Sequence, residues 1–161
     1  MTPLYAAIVA EARVPEWYHG GVPDTTDGRF DMVASVLSLV LLRLEREGAG
    51  TRAAQALLAE TFIADMDGEL RQMGVGDLMV GKHVGNMMGA LSGRIGAYKD
   101  ALAGKDALAG RGDLGAAIAR NIFRDEAADP AQVAAVEARL RALAARVDAA
   151  PLDALLAGNI G

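Results

Sequence analysis

No cysteine occurs anywhere in the 161 residues, which excludes disulfides, cysteine-ligated zinc, iron–sulfur clusters and thiol catalysis together and fits a reducing compartment. Aromatic residues are scarce, at 4%, so a core has to be assembled from Leu, Val, Ile, Met and Ala. Basic runs are missing as well, and the formal net charge is -5; a phosphate-binding face needs clustered Lys and Arg, so a nucleic-acid partner is not expected. No apolar run approaches the roughly 20 residues of a membrane span. The longest, Met32 to Leu42, is interrupted by Ser35 and Ser38. The opening Met1-Thr2-Pro3-Leu4-Tyr5 carries neither the basic start nor the apolar stretch of a secretory signal, and a cytoplasmic protein is expected.

What is present points to helices. Hydrophobic residues make up 52% and charged residues 23%, a globular composition, and alanine is a strong helix former. The expected fold is all-α: one domain over residues 1–161, an irregular bundle of about six to seven helices by hydrophobic period. The first helix is expected over Pro3 to Arg13. The Pro- and Gly-bearing stretch Val14 to Thr26 reads as a loop, with N-cap candidates at Asp24 to Asp27. A helix from Arg29 to Arg46 is apolar all round and reads as the central, buried one. The third helix, Thr51 to Met73, presents Leu58, Phe62, Met66, Leu70 and Met73 on one face, with Gly74 as the residue that ends it and Asp77 as the next N-cap.

The fourth helix, Leu78 to Ala103, carries an expected core stripe of Val80, Val84, Met87, Leu91, Ile95, Tyr98 and Leu102. It also repeats glycine every fourth residue at Gly81, Gly85, Gly89 and Gly93. Glycine inside a helix costs about 0.5–1 kcal/mol relative to alanine, so the repeat needs a reason, and close packing of a neighbouring backbone is the expected one. A glycine-broken connector with a short helical turn follows, from Gly104 to Gly112. Helices are then expected from Leu114 to Arg124, from the Asp129-Pro130 start signal to Val147, and after Pro151.

Catalytic patterns are sparse. His19 falls in the expected loop and His83 on the polar side of the fourth helix, and neither has a second histidine at helical ligand spacing. Asp65-Met66-Asp67-Gly68-Glu69 has the acids of a calcium loop without its third ligand position. Ser35, Ser38 and Ser92 all lie within helices, away from the exposed turn that a nucleophile needs. Five of the seven methionines fall between Met66 and Met88; a flexible, polarisable Met surface suits apolar partners of varied sequence, and the same residues also serve as core fillers.

The stretch Phe62-Ile63-Ala64-Asp65-Met66-Asp67-Gly68-Glu69-Leu70-Arg71-Gln72-Met73-Gly74-Val75-Gly76-Asp77-Leu78, with Val80-Gly81-Lys82 after it, resembles the signature of the ubiquinol–cytochrome c chaperone family. Gly28-Arg29-Phe30-Asp31-Met32 and Arg43-Leu44 upstream extend the likeness, as do Gly93-Arg94, Ala97-Tyr98 and Arg120-Asn121 downstream. It covers residues 1–124, while the alanine-rich helices of residues 129–157 carry no signature. The chain departs from the pattern at Ser35-Val36, where Leu-His is expected, and at Leu91-Ser92, where Phe-Tyr is expected.

The resemblance implies a non-enzymatic assembly factor of the cytochrome bc1 complex, without cofactor or metal, that engages newly made cytochrome b together with a small partner protein. The Ala-, Arg- and Gly-rich composition looks bacterial, which implies work at the inner face of the inner membrane. A client site is expected on the third and fourth helices, a groove with Met66, Met87 and Met88 near it, Asp67, Arg71, Asp77, Lys82 and Arg94 fixing orientation from the rim, and Tyr98 as a further contact. The competing readings are a structural subunit of a stable respiratory complex and a small helical haem-handling protein using His19 or His83.

Overall fold

The computed structural model describes residues 2–104, 113–124 and 128–161, and among them every regular element is helical. In chain order these are α1 (Pro3–Ala12), α2 (Pro15–His19), α3 (Thr26–Glu47), a 3₁₀ turn (Ala49–Thr51), α4 (Arg52–Gln72), α5 (Asp77–Leu102), α6 (Leu114–Asn121), α7 (Pro130–Ala149) and α8 (Leu152–Leu156). The expected turn between Gly104 and Gly112 lies outside the described residues.

α3 is the axis around which the rest is built. Its N-cap is Thr25, whose hydroxyl accepts from the Gly28 amide, satisfying one of the free donors of the first turn. From Asp31 to Leu42 every residue is buried, and α1, α4, α5 and α7 pack around it. An aliphatic side chain taken out of water there contributes about 1.5–3 kcal/mol, so Met32, Leu37, Val40 and Leu44 anchor the whole bundle. Gly28, in the first turn, has a structural reason to be glycine, since a Cβ there would collide with the carbonyl oxygen of Pro23.

The stretch read as a loop contains a helix. Pro15 supplies the fixed φ of a first helical position, and Trp17 is buried with its Nε1 donating to the Glu11 carbonyl at 2.9 Å. One large apolar side chain with its polar atom satisfied therefore holds five residues in a helix despite the Pro and Gly around them.

The connection from α4 to α5 follows from its sequence. Gly74 has φ +81, its amide donates to the Arg71 carbonyl at 3.0 Å and the Val75 amide to the Leu70 carbonyl at 3.1 Å. That is the Schellman arrangement, which needs a left-handed residue that only glycine adopts without strain. Gly76 then occupies the N-cap position expected for Asp77. Asp77 is the first helical residue instead, where a carboxylate complements the helix dipole.

α5 differs most from its expected form. Val80, Leu91 and Tyr98 are buried, but Val84, Met87 and Ile95 are only half-buried, and Leu102 is exposed. Between Gly81 and Ala90 no residue is fully buried. Among the described residues the glycine repeat is not packed: a Cβ at Gly81, Gly85, Gly89 or Gly93 would meet no atom beyond the helix's own backbone within 4 Å. Met73, the residue that caps α4, likewise points outward, while Leu58, Phe62, Met66 and Leu70 on the helix are buried.

Candidate functional site

The residues singled out by the sequence divide into an inner and an outer set. Met66, Arg94 and Tyr98 are buried, and so support the chain from inside. Met87 and Met88 are half-buried and pack against the edge of the core. Asp67, half-buried, and the exposed Arg71, Asp77 and Lys82 lie on or beside the α4–α5 corner.

The inner set forms a buried charged network. Arg94, 3% exposed, donates through Nη1 to the Asp31 carbonyl at 3.0 Å, and through Nη2 to Asp31 Oδ1 at 3.0 Å and the Asn121 carbonyl at 2.9 Å. Asp31 Oδ2 accepts from Arg124 Nε at 3.1 Å, and Arg124 also reaches Asp27 at 3.5 Å. Ser35 Oγ donates to the Asp31 carbonyl at 2.7 Å and lies 3.0 Å from the Tyr98 hydroxyl. With the serine's one hydrogen committed, the tyrosine is the donor of that second bond. Burial raises the Tyr98 pKa above its ordinary value, so the ring stays a neutral hydroxyl. The network ties α3, α5 and α6 together through residues scattered over more than ninety positions. It contains Asp31, Arg94, Tyr98 and Asn121, all from the flanking parts of the family-like pattern. Of the two departures from that pattern, Ser35-Val36 lies inside, with Ser35 part of the network, while Leu91 is buried beside it and Ser92 is exposed. Arg94 Nε is the one buried side-chain polar atom without a partner among the described residues, and such an atom costs about 1–3 kcal/mol.

A second polar tie holds α1 to α4. The Tyr5 hydroxyl donates to Asp65 Oδ2 at 2.8 Å, and burial, then that bond, push the Tyr5 pKa well above its ordinary value. Asp65 is therefore a hydrogen-bond acceptor inside a continuous α4, the helix that also contains Asp67 and Glu69.

The outer set is the α4–α5 corner. Leu78 is 93% exposed, Met73 59% and Met79 50%, three large apolar side chains flanking one rigid turn. Arg71 donates through Nε to Asp67 Oδ2 at 2.8 Å and pairs through Nη1 with Asp77 across the turn. The bonds from Asp67 and Asp77 raise the Arg71 pKa, so its charge is permanent. From Leu78 the outward face of α5 runs on at helical spacing through Lys82, Gly85, Gly89 and Gly96, all exposed. It is a smooth strip with an apolar knob at one end. Spacing alone did not mark Leu78 and Met79; the Gly-Val-Gly turn before them was the available sign.

His83 is exposed and borders a pocket formed by α3, α4, α5 and α6. His19 is exposed at the end of α2. No group of metal-ligating side chains occurs among the described residues, nor is any described helix long and apolar enough to cross a membrane.

Residues 18–160 match the family described as ubiquinol-cytochrome C chaperone. The fold is similar to the crystal structure of the Cbp3 homolog from Brucella abortus, with a TM-score of 0.81 and 34% sequence identity over 99% of this chain and 86% of that one. No curated protein matches the chain significantly.

Proposed function

The chain belongs to the ubiquinol-cytochrome C chaperone family, and from that premise we propose that it is a non-enzymatic holdase for newly made cytochrome b, working as a peripheral protein at the inner face of a bacterial membrane. The client lies on the α4–α5 corner and along the outward face of α5.

The observation that carries this reading is the glycine strip. Four glycines spaced by four residues weaken α5, each by about 0.5–1 kcal/mol relative to alanine, and among the described residues nothing outside α5 packs on them. A partner helix from outside the chain supplies a reason for them. Small residues at this spacing let a second helix approach closely, as in helix pairs within membranes, and cytochrome b is a membrane protein whose helices are apolar before insertion. Leu78, Met79 and Met73 form the knob that such a segment grips, and flexible methionine tolerates varied contacts. Asp67, Arg71, Asp77 and Lys82 set orientation at the rim, since exposed ion pairs contribute only about 0–1 kcal/mol to stability. Met66, Arg94 and Tyr98 hold the platform from within, and Met87 and Met88 line its inner edge. Burial of apolar area at about 25 cal/mol per Å² provides holding without ATP.

A pulldown of the tagged protein from its host in mild detergent tests the identity of the client. Cytochrome b enriched without the mature complex is the expected result; stoichiometric recovery of the whole bc1 complex would make the chain a structural subunit instead. A further expectation separates surface from scaffold. Gly85→Ala with Gly89→Ala raises chain stability, by about 0.5–1 kcal/mol per site, while weakening capture of cytochrome b. Urea unfolding and the same pulldown read the two opposite signs.

A further inference from the structure

All the sulfur in the chain is methionine, since cysteine is absent. A thiolate normally meets an oxidant first; here no thiol reacts ahead of the thioethers. Among the described residues the methionines fall into three groups. Met32 and Met66 are buried, Met87 and Met88 are half-buried against the core, and Met73 and Met79 are exposed. Both exposed thioethers stand at the α4–α5 corner, before and after Leu78 in the chain. Trp17, the other readily oxidised side chain, is buried.

The backbone at these two positions is held without help from their side chains. The Met73 amide donates to the Glu69 carbonyl at 3.1 Å and the Met79 amide to the Gly76 carbonyl at 3.0 Å, on either side of the left-handed Gly74. A polar group added to either side chain therefore sits in water and removes no packing. The same change at Met32 or Met66 would open the core, because methionine sulfoxide is polar where methionine is apolar.

We propose that Met73 and Met79 are a paired oxidation site, and that their conversion to methionine sulfoxide by hydrogen peroxide stops the chain from taking up its client. This rests on the client reading above, in which the two residues are part of the apolar knob. The thioether sulfur attacks one peroxide oxygen; the S–O bond forms as the O–O bond breaks, and that oxygen's proton passes to the departing hydroxide, giving water. Sulfur is oxidised by two electrons and the peroxide is reduced. The product carries a strong acceptor on the surface that an apolar segment must cover, so capture would bury an unpaired polar group. Methionine sulfoxide reductases, one for each epimer at sulfur, return the thioether and with it the capacity to hold.

The test treats the purified, tagged chain with hydrogen peroxide and maps sulfoxide by peptide mass spectrometry over time. Met73 and Met79 are expected to oxidise ahead of Met32, Met66, Met87 and Met88, with the urea midpoint unchanged while they do. A partly oxidised sample is then offered cytochrome b freshly made by cell-free translation in mild detergent, and the chain with and without client is mapped separately. Sulfoxide at 73 and 79 is expected to be about tenfold scarcer in the client-bound fraction, and treatment with both reductases to restore capture. Oxidation of Met66, Met87 or Met88 first, equal sulfoxide in the two fractions, or capture that reduction does not restore would overturn the proposal alone. An untreated chain that captures no cytochrome b would overturn the client reading and this one with it.

Discussion

Asp31→Ala is expected to cost about 3–5 kcal/mol of folding stability, the range for removing one partner of a buried ion pair. The carboxylate is the hub: Arg94 and Arg124 both bond to it. Removing it leaves the Arg94 guanidinium buried with only carbonyl acceptors, and a guanidinium cannot escape by giving up its proton. Arg94→Met should cost less than half as much, because methionine keeps most of the packing volume and Asp31 retains Arg124, which is half-exposed and solvated. The double variant Asp31→Ala, Arg94→Met should be more stable than Asp31→Ala alone, since no unpaired charge stays inside. Urea unfolding followed by circular dichroism measures the cycle. Additive costs would mean that the network is a set of independent contacts and not one unit.

Leu78→Asp is expected to reduce capture of cytochrome b at least about tenfold, the effect of losing an apolar anchor at an interface, while stability changes by no more than about 0.5 kcal/mol. Leu78 is almost fully exposed, so its substitution removes no packing from the chain. A carboxylate there, next to Asp77, opposes burial of an apolar segment twice, through desolvation and through repulsion between like charges. Leu156→Asp is the matched control. Leu156 is also an exposed leucine, but it sits on α8, which packs with α1 on another part of the bundle. Quantitative pulldown with each variant, alongside urea unfolding, separates loss of client from loss of fold.

Much of the fold was legible because its strongest signals are local. α3 is apolar on all sides, and only burial on all sides explains that. Gly74 ended α4 as expected, since the left-handed turn demands glycine. α2 was hidden because Pro15 and Gly20 read as punctuation, whereas one buried tryptophan is enough to hold a five-residue helix between them. α5 misled for a more general reason. The helical period shows which residues share a face but not whether anything covers that face. The stripe from Val80 to Leu102 and the glycine repeat were both read as packed, and in its first half the helix is largely uncovered.

The inner network was legible only in part. Leu91, Arg94 and Tyr98 are spaced so that Arg94 shares the buried side of α5, which was the available sign that it lies inside and not on a rim. Its partners could not be found that way. Asp31 and Asn121 are 63 and 27 positions distant, and no local pattern links them.

The most direct test of the account places a photo-reactive residue at Leu78 and, in a separate variant, at Leu156, in the host during synthesis of the bc1 complex. Cytochrome b is expected to crosslink through position 78 and not through 156, with the adduct disappearing as the complex matures. Equal crosslinking at both positions, or cytochrome b captured through 156 alone, would contradict the claim that the α4–α5 corner is where the client is held.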